Sequence, residues 1–252
     1  MRSPGPAIWL ALVAGMIWLS LADQTNAFGQ QHNKSVAKTP PNASAAVPPR
    51  PPIAITDIPS GVRDGVRKVL EEPTLTARGP SEVFRGRPSL YYWLLDHPDR
   101  AAAEWRRMGY PCVEITERGQ GRHGWTDHAG SSLQWETVYR APGLRVWYAE
   151  GAVRPGLLMP AVPVRAAVVL HHGERADSSG RLWLQQQADL FVYTDSKTAA
   201  AIAKLLGPAA PKAAEQCVVQ LQTFFSALVR LSERRARQAE RPPTGDTISP
   251  KK

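Results

Sequence analysis

The chain has 252 residues, 43% hydrophobic and 21% charged, with 31 Lys+Arg against 22 Asp+Glu for a formal net charge of +9. That length holds one ordinary domain plus tails, and with only two cysteines it excludes collagen-like, coiled-coil, disulfide-dense and polytopic membrane architectures. The 23 prolines are denser in the flanks than in the middle of the chain, which points to a folded core between Pro-rich disordered segments. Residues 60–240 carry 24 Lys/Arg and 19 Asp/Glu, so the core is only mildly basic. Peripheral contact with an anionic membrane surface fits that charge. Nucleic acid does not, because no arginine-rich helix or interleaved aromatic pattern accompanies it.

Residues 1–27 are expected to be a signal peptide. Arg2 precedes an apolar run from Ala7 to Ala22, short for a membrane span, and small residues stand before two cleavage points, Ser20/Ala22 and Thr25/Ala27. An uncleaved anchor is the alternative. Either reading places the remainder outside the cytosol, periplasmic or extracellular. Residues 28–60, with Pro40, Pro41, Pro48, Pro49, Pro51, Pro52 and Pro59, form a linker, residues 61–240 a single domain, and residues 241–252 a disordered basic tail. In an oxidising compartment Cys112 and Cys217 can form one disulfide, although two separate buried thiols fit the sequence equally well.

Within the domain, Gly61–Glu72 reads as a short helix ended by Pro73, and 74–84 as a strand interrupted by Gly79-Pro80. Two short helices follow, 89–96 with Ser89 as N-cap and 98–108 with Asp99 in its first turn. Strands are expected at 112–117, 133–140, 144–150, 164–172 and 182–193, joined by turn signals such as Ala141-Pro142-Gly143 and Asp177-Ser178-Ser179-Gly180. Leu133, Trp135, Thr137 and Tyr139 alternate with polar residues, which marks a half-buried sheet. A short helix at 196–206 and a long one at about 212–238 close the domain. The apolar stripe of the long helix (Cys217, Leu221, Phe224, Phe225, Leu228) needs the sheet as its partner. The fold class is therefore α+β: an antiparallel β-meander packed on a long C-terminal amphipathic helix, with two short helices before the sheet.

This order of strand, two helices, meander and long helix resembles the helix-grip fold of the START and polyketide-cyclase-like (SRPBCC) superfamily. The resemblance is one of order, carried by no motif. It implies a cavity between sheet and helix that takes a lipid, sterol or other hydrophobic or amphipathic small molecule, and it supplies no catalytic residue by position. The chain also resembles a family of exported bacterial proteins, which implies no activity.

Register sharpens the expectation for such a cavity. If the last two strands form a hairpin, Val168 and Leu170 must share a face with Leu184 and Leu190, which puts His172 and Gln186 on that apolar face as direct or diagonal neighbours. They can orient a polar ligand head or satisfy each other as a core pair. The candidate ligand-binding residues are Trp135, Tyr139, Tyr148, His172, Gln186, Phe224 and Phe225. Gln185, Gln187 and Asp189 are expected on the wetter face of their strand.

No nucleophile elbow, phosphate loop, dinucleotide fingerprint or metal-binding spacing is present, so no catalytic residue, cofactor or metal is assigned. The string from His123 through Asp127 to His128 reads as a solvated Gly-rich hairpin tip. The leading function is an exported, non-enzymatic domain binding a hydrophobic or amphipathic ligand. A cell-envelope protein-interaction module is the alternative. A metal-dependent hydrolase built on His123/Asp127/His128 or His171/His172 is the third.

Overall fold

A computed structural model describes residues 53–128, 130–154, 161–195 and 210–239. The expected signal peptide, most of the linker, the helix at 196–206 and the basic tail lie outside them. Helix α1 (Ser60–Glu71) opens the domain and presents Val66 and Val69 as a buried pair at helical spacing. Strands β1 (Leu75–Arg78) and β2 (Glu82–Arg85) follow, then α2 (Pro88–Asp96) and α3 (Pro98–Arg107). The meander comprises β3 (Thr116–Glu117), β4 (Arg122–Thr126), β5 (Ser132–Ala141), β6 (Leu144–Val153), β7 (Val162–Ala176) and β8 (Leu182–Tyr193). The 30-residue helix α4 (Ala210–Ala239) completes the described chain.

All the strands belong to one antiparallel sheet in the order β1-β8-β7-β6-β5-β4-β3, with β2 also pairing β8. β1 and β2 are thus one edge strand, broken at Gly79-Pro80 as the sequence suggests. The break has a use. Gly79 lies where the Gln222 side chain of α4 reaches the sheet, and a Cβ there would collide with it. Helix on sheet, with short helices between edge strand and meander, is the α+β arrangement expected, and it fits the helix-grip fold.

The sheet is covered on both faces. On one lies α4 with α2 and α3, in a core that includes Tyr91, Trp105, Trp125, Trp135, Phe224 and Phe225. On the other lies α1, whose Val66 and Val69 pack with Ile58, Val138, Val146 and Ala167. The sequence indicates α1 but not its partner. Gly65 lets α1 come down onto the sheet, because a Cβ there would strike the Tyr148 hydroxyl.

Several local expectations are corrected. Of the strand expected at 112–117 only Thr116–Glu117 is paired. Ser89 is not the cap of α2: Arg87 occupies the N-cap position and Pro88 the first turn, where a missing N–H costs nothing. The His123 region is no solvated tip, since β4 runs through it and buries His123 and Trp125. Asp189 is 6% exposed rather than wet, held by Arg78 across the β1–β8 ladder and 3.6 Å from His171. Cys112 is a half-buried thiol whose pKa burial pushes up to about 12, and Cys217 a buried one on α4.

Candidate functional site

The His172–Gln186 expectation meets the structure directly. In the β7–β8 ladder Val168 pairs Leu190, Leu170 pairs Ala188 and His172 pairs Gln186, so all six side chains share the α4 face. Gln186, fully buried, is saturated: its Oε1 accepts from the Tyr91 hydroxyl at 2.8 Å, and its Nε2 donates to Glu82 at 2.8 Å and to the Gln222 carbonyl of α4 at 2.9 Å. Glu82 in turn accepts from Ser226 (2.7 Å) and Arg230 (2.8 Å), and the Gln222 side chain donates to the Pro80 carbonyl at 2.8 Å. Residues 222, 226 and 230 recur every four positions, so one stripe of α4 is fastened to the β2–β8 edge by a buried polar clamp.

His172 is placed differently. Its ring lies 5.3 Å from Tyr92 and 6.4 Å from Tyr91, and its buried Nδ1 has no partner among the described residues. Burial first, then the charges of Arg145 and His171, push its pKa down to about 4, so the imidazole is neutral at pH 7.

The clamp draws α4 onto β1, β2 and β8, where its closest approach to the sheet lies. Against β5, β6 and β7 the space is spanned by side chains, and there an apolar cavity of about 60 Å³ remains. Trp125, Trp135 and Trp147 wall it from the sheet, and Leu221 and Phe225 close it from α4. Its floor is the pair Ala149 and Ala166, neighbours across β6 and β7 and next in line to Trp135. Two small residues beside a tryptophan leave the void. Trp125 is 2% exposed, and its Nε1–H has no acceptor among the described residues. A buried donor so placed costs about 1–3 kcal/mol until an acceptor reaches it.

A narrower cavity of about 20 Å³ adjoins, sharing Leu95, Pro98, Trp135 and Trp147 with the first and adding Asp96, His123 and Arg140. Asp96 Oδ1 accepts from Arg145 at 2.6 Å and forms an ion pair with Arg140 at 2.8 Å. His123 stacks on Trp135 at 5.8 Å and lies 3.7 Å from Asp99. Burial lowers its pKa against the opposing pull of Asp99 and Glu117.

Of the seven residues singled out from sequence, Trp135 and Phe225 line the chamber. Phe224 sits beside it, 5.0 Å from Phe225 and 5.4 Å from Trp105. Tyr139 and Tyr148 lie on the opposite face, in the cluster under α1, where burial and then Glu150 push the Tyr148 hydroxyl up to about 12. One irregularity accounts for both. The Pro142–Gly143 turn starts the hairpin with Ala141 opposite Leu144, but a bulge at Val138 shifts the pairing, so Trp135 faces Ala149 and Thr137 faces Trp147. Unbulged, Tyr148 and Tyr139 would share the face of Trp135; the extra residue swaps them out and brings Trp147 and Arg145 in.

His171 and His172, adjacent on one strand, point to opposite faces and do not form one site. Among the described residues no group of three or more His, Cys, Asp or Glu side chains converges as metal ligands. No helix among them is long and apolar enough to cross a membrane.

No protein-family model and no curated protein matches the chain. Solved structures do. A conserved protein from Geobacillus kaustophilus is 14% identical with a TM-score of 0.43, the match covering 63% of this chain and 97% of that one. The di-domain ARO/CYC protein BexL of the BE-7585A biosynthetic pathway is 19% identical with a TM-score of 0.33, covering 73% of this chain and 59% of that one. A truncated norcoclaurine synthase from Thalictrum flavum is 11% identical with a TM-score of 0.31, covering 58% and 91%. At such identities the likeness concerns the path of the chain alone.

Proposed function

We propose that this is an exported, non-enzymatic domain that binds a hydrophobic or amphipathic small molecule, a lipid chain included, between its sheet and α4. The observation that carries the reading is the apolar chamber of three tryptophans and Phe225 with a buried, unpartnered Trp125 Nε1–H. Apolar walls of this kind supply affinity for a hydrophobic ligand. Export rests on the apolar run Ala7–Ala22 behind Arg2.

Size sets how a ligand enters. About 60 Å³ falls short of the roughly 150 Å³ that admits benzene, so the chamber holds a chain end and anything larger requires movement. The clamp fixes α4 at the β2–β8 edge, and the β5–β7 side, where Leu221 and Phe225 close the chamber from α4, is where it opens.

Native mass spectrometry of the full chain, purified after export, with solvent extraction of bound compounds, tests the reading. A discrete apolar mass is expected, lost in Ala149→Leu, which fills the chamber without emptying the core. A clean apo mass that persists after incubation with envelope lipids would refute it.

A further inference from the structure

We propose that Arg145 is the head-group site of this chamber and that the ligand is an apolar monocarboxylate, an inference that rests on the chamber being a binding site. Arg145 lies two residues before Trp147 on β6 and so on the same face. Its side chain is only 7% exposed. Of its five N–H donors, the described residues give an acceptor to Nη1 alone, which donates to Asp96 at 2.6 Å. The guanidinium lies 5.9 Å from the Trp147 ring centre. A buried guanidinium is costly unless it is paired and hydrogen-bonded beyond one contact, and a carboxylate is the group that meets its fork with two bonds at once.

The surrounding charges set the valence. Asp96 is shared between Arg145 and Arg140, one carboxylate against two guanidiniums. The other groups facing this end add nothing: His172 is held neutral, and burial keeps the Tyr91 and Tyr92 hydroxyls protonated. Glu174, whose charge acts on Tyr92, is exposed, and Asp99 is engaged with Arg100 and His123. One positive charge is left over. A monoanion balances it, whereas a phosphate dianion would leave net negative charge beside an apolar chamber. The side cavity of Asp96 and Arg140 shares the walls Leu95, Pro98, Trp135 and Trp147 with the chamber, and Arg145 adjoins it through its bond to Asp96, so a carboxylate that takes a place beside Asp96 has the chamber next to it for its tail.

Calorimetry on the full chain with octanoate and its uncharged analogue octanol separates head from tail. Wild type is expected to bind octanoate at least about tenfold more tightly, and Arg145→Gln to erase that preference. Asp96→Asn keeps the guanidinium and removes its competing carboxylate, so it should tighten octanoate about three- to tenfold and leave octanol unchanged. This second variant decides the matter if Arg145→Gln does not fold. Equal binding of the two probes in wild type, or no response to Asp96→Asn, overturns the head-group site while leaving the chamber reading standing. Binding of neither probe overturns both.

Discussion

The two faces of the sheet are packed to different ends. Under α1 the buried apolar residues are aliphatic apart from Tyr148, with Val66, Val69, Val146, Val169 and Ala167 among them, and Gly65 admits the helix to the Tyr148 hydroxyl. Under α4 the sheet meets bulky aromatics, a buried polar clamp at one edge and a void beside it. Packing that reaches the density of a protein interior holds a fold, and packing that leaves a void forgoes contacts that a ligand can supply. The difference is what the proposed reading turns on: α1 meets a filled face, and the void lies on the far side of the sheet.

The largest effect should come from breaking the clamp. Gln186→Leu strands the Tyr91 hydroxyl and leaves Glu82 one donor short, a loss of about 2–4 kcal/mol. Its neighbour Gln185 faces the other way, half-buried, and donates to Ser81 at 3.0 Å. Gln185→Leu should cost less than about 1 kcal/mol. Urea unfolding of the pair checks this, and equal midpoints would mean that the clamp does not hold α4.

Next is pH. The folded-state pKa of His172, about 4, lies below the ordinary histidine value near 6.5. The unfolded chain therefore takes up the proton first. This contribution is fully present above pH 6.5 and is lost as pH falls toward 4. Because the ring is partly exposed, about 2 kcal/mol of differential loss between pH 7 and 4.5 is expected, relative to His172→Gln. Parallel stability curves for the two proteins would show that His172 is solvated rather than enclosed by Tyr91, Tyr92 and Arg145.

How far this was legible in the sequence depends on the strand. On β7 and β8 the parity of Val168, Leu170, Leu184 and Leu190 admits one pairing, and His172 opposite Gln186 follows from it. β6 offers no such handle: Arg145, Val146 and Tyr148 are all buried because both faces are covered, and polarity does not alternate. The side that Trp147 faces then hangs on the register with β5, which the Val138 bulge shifts by one. Val138 is an ordinary strand residue with no glycine to announce a bulge, so Tyr139 and Tyr148 read as pocket residues while Trp147 and Arg145 went unnoticed. Trp125 was hidden by its glycine neighbours, which look like a turn. The clamp was hidden too, because Gln222 is a polar residue that breaks no apolar stripe until Gly79 is seen beneath it.

Ala166 and Ala167 give the smallest and sharpest test, since they are adjacent on β7, both almost wholly buried, and point to opposite faces. Valine at either position brings the same gain in strand propensity, so the difference between the two variants isolates packing. At Ala167, under α1, two added methyl groups meet close-packed side chains and should cost about 1–2 kcal/mol. At Ala166 the same groups enter the floor of the chamber, where they replace void with contacts, and a gain of up to about 1 kcal/mol is expected. The stabilised variant should also bind octanoate less tightly, because methyl groups and ligand tail compete for one volume. If Ala166→Val is as costly as Ala167→Val, the chamber is already filled by its own walls, and the contrast between the faces, with the binding reading built on it, fails together.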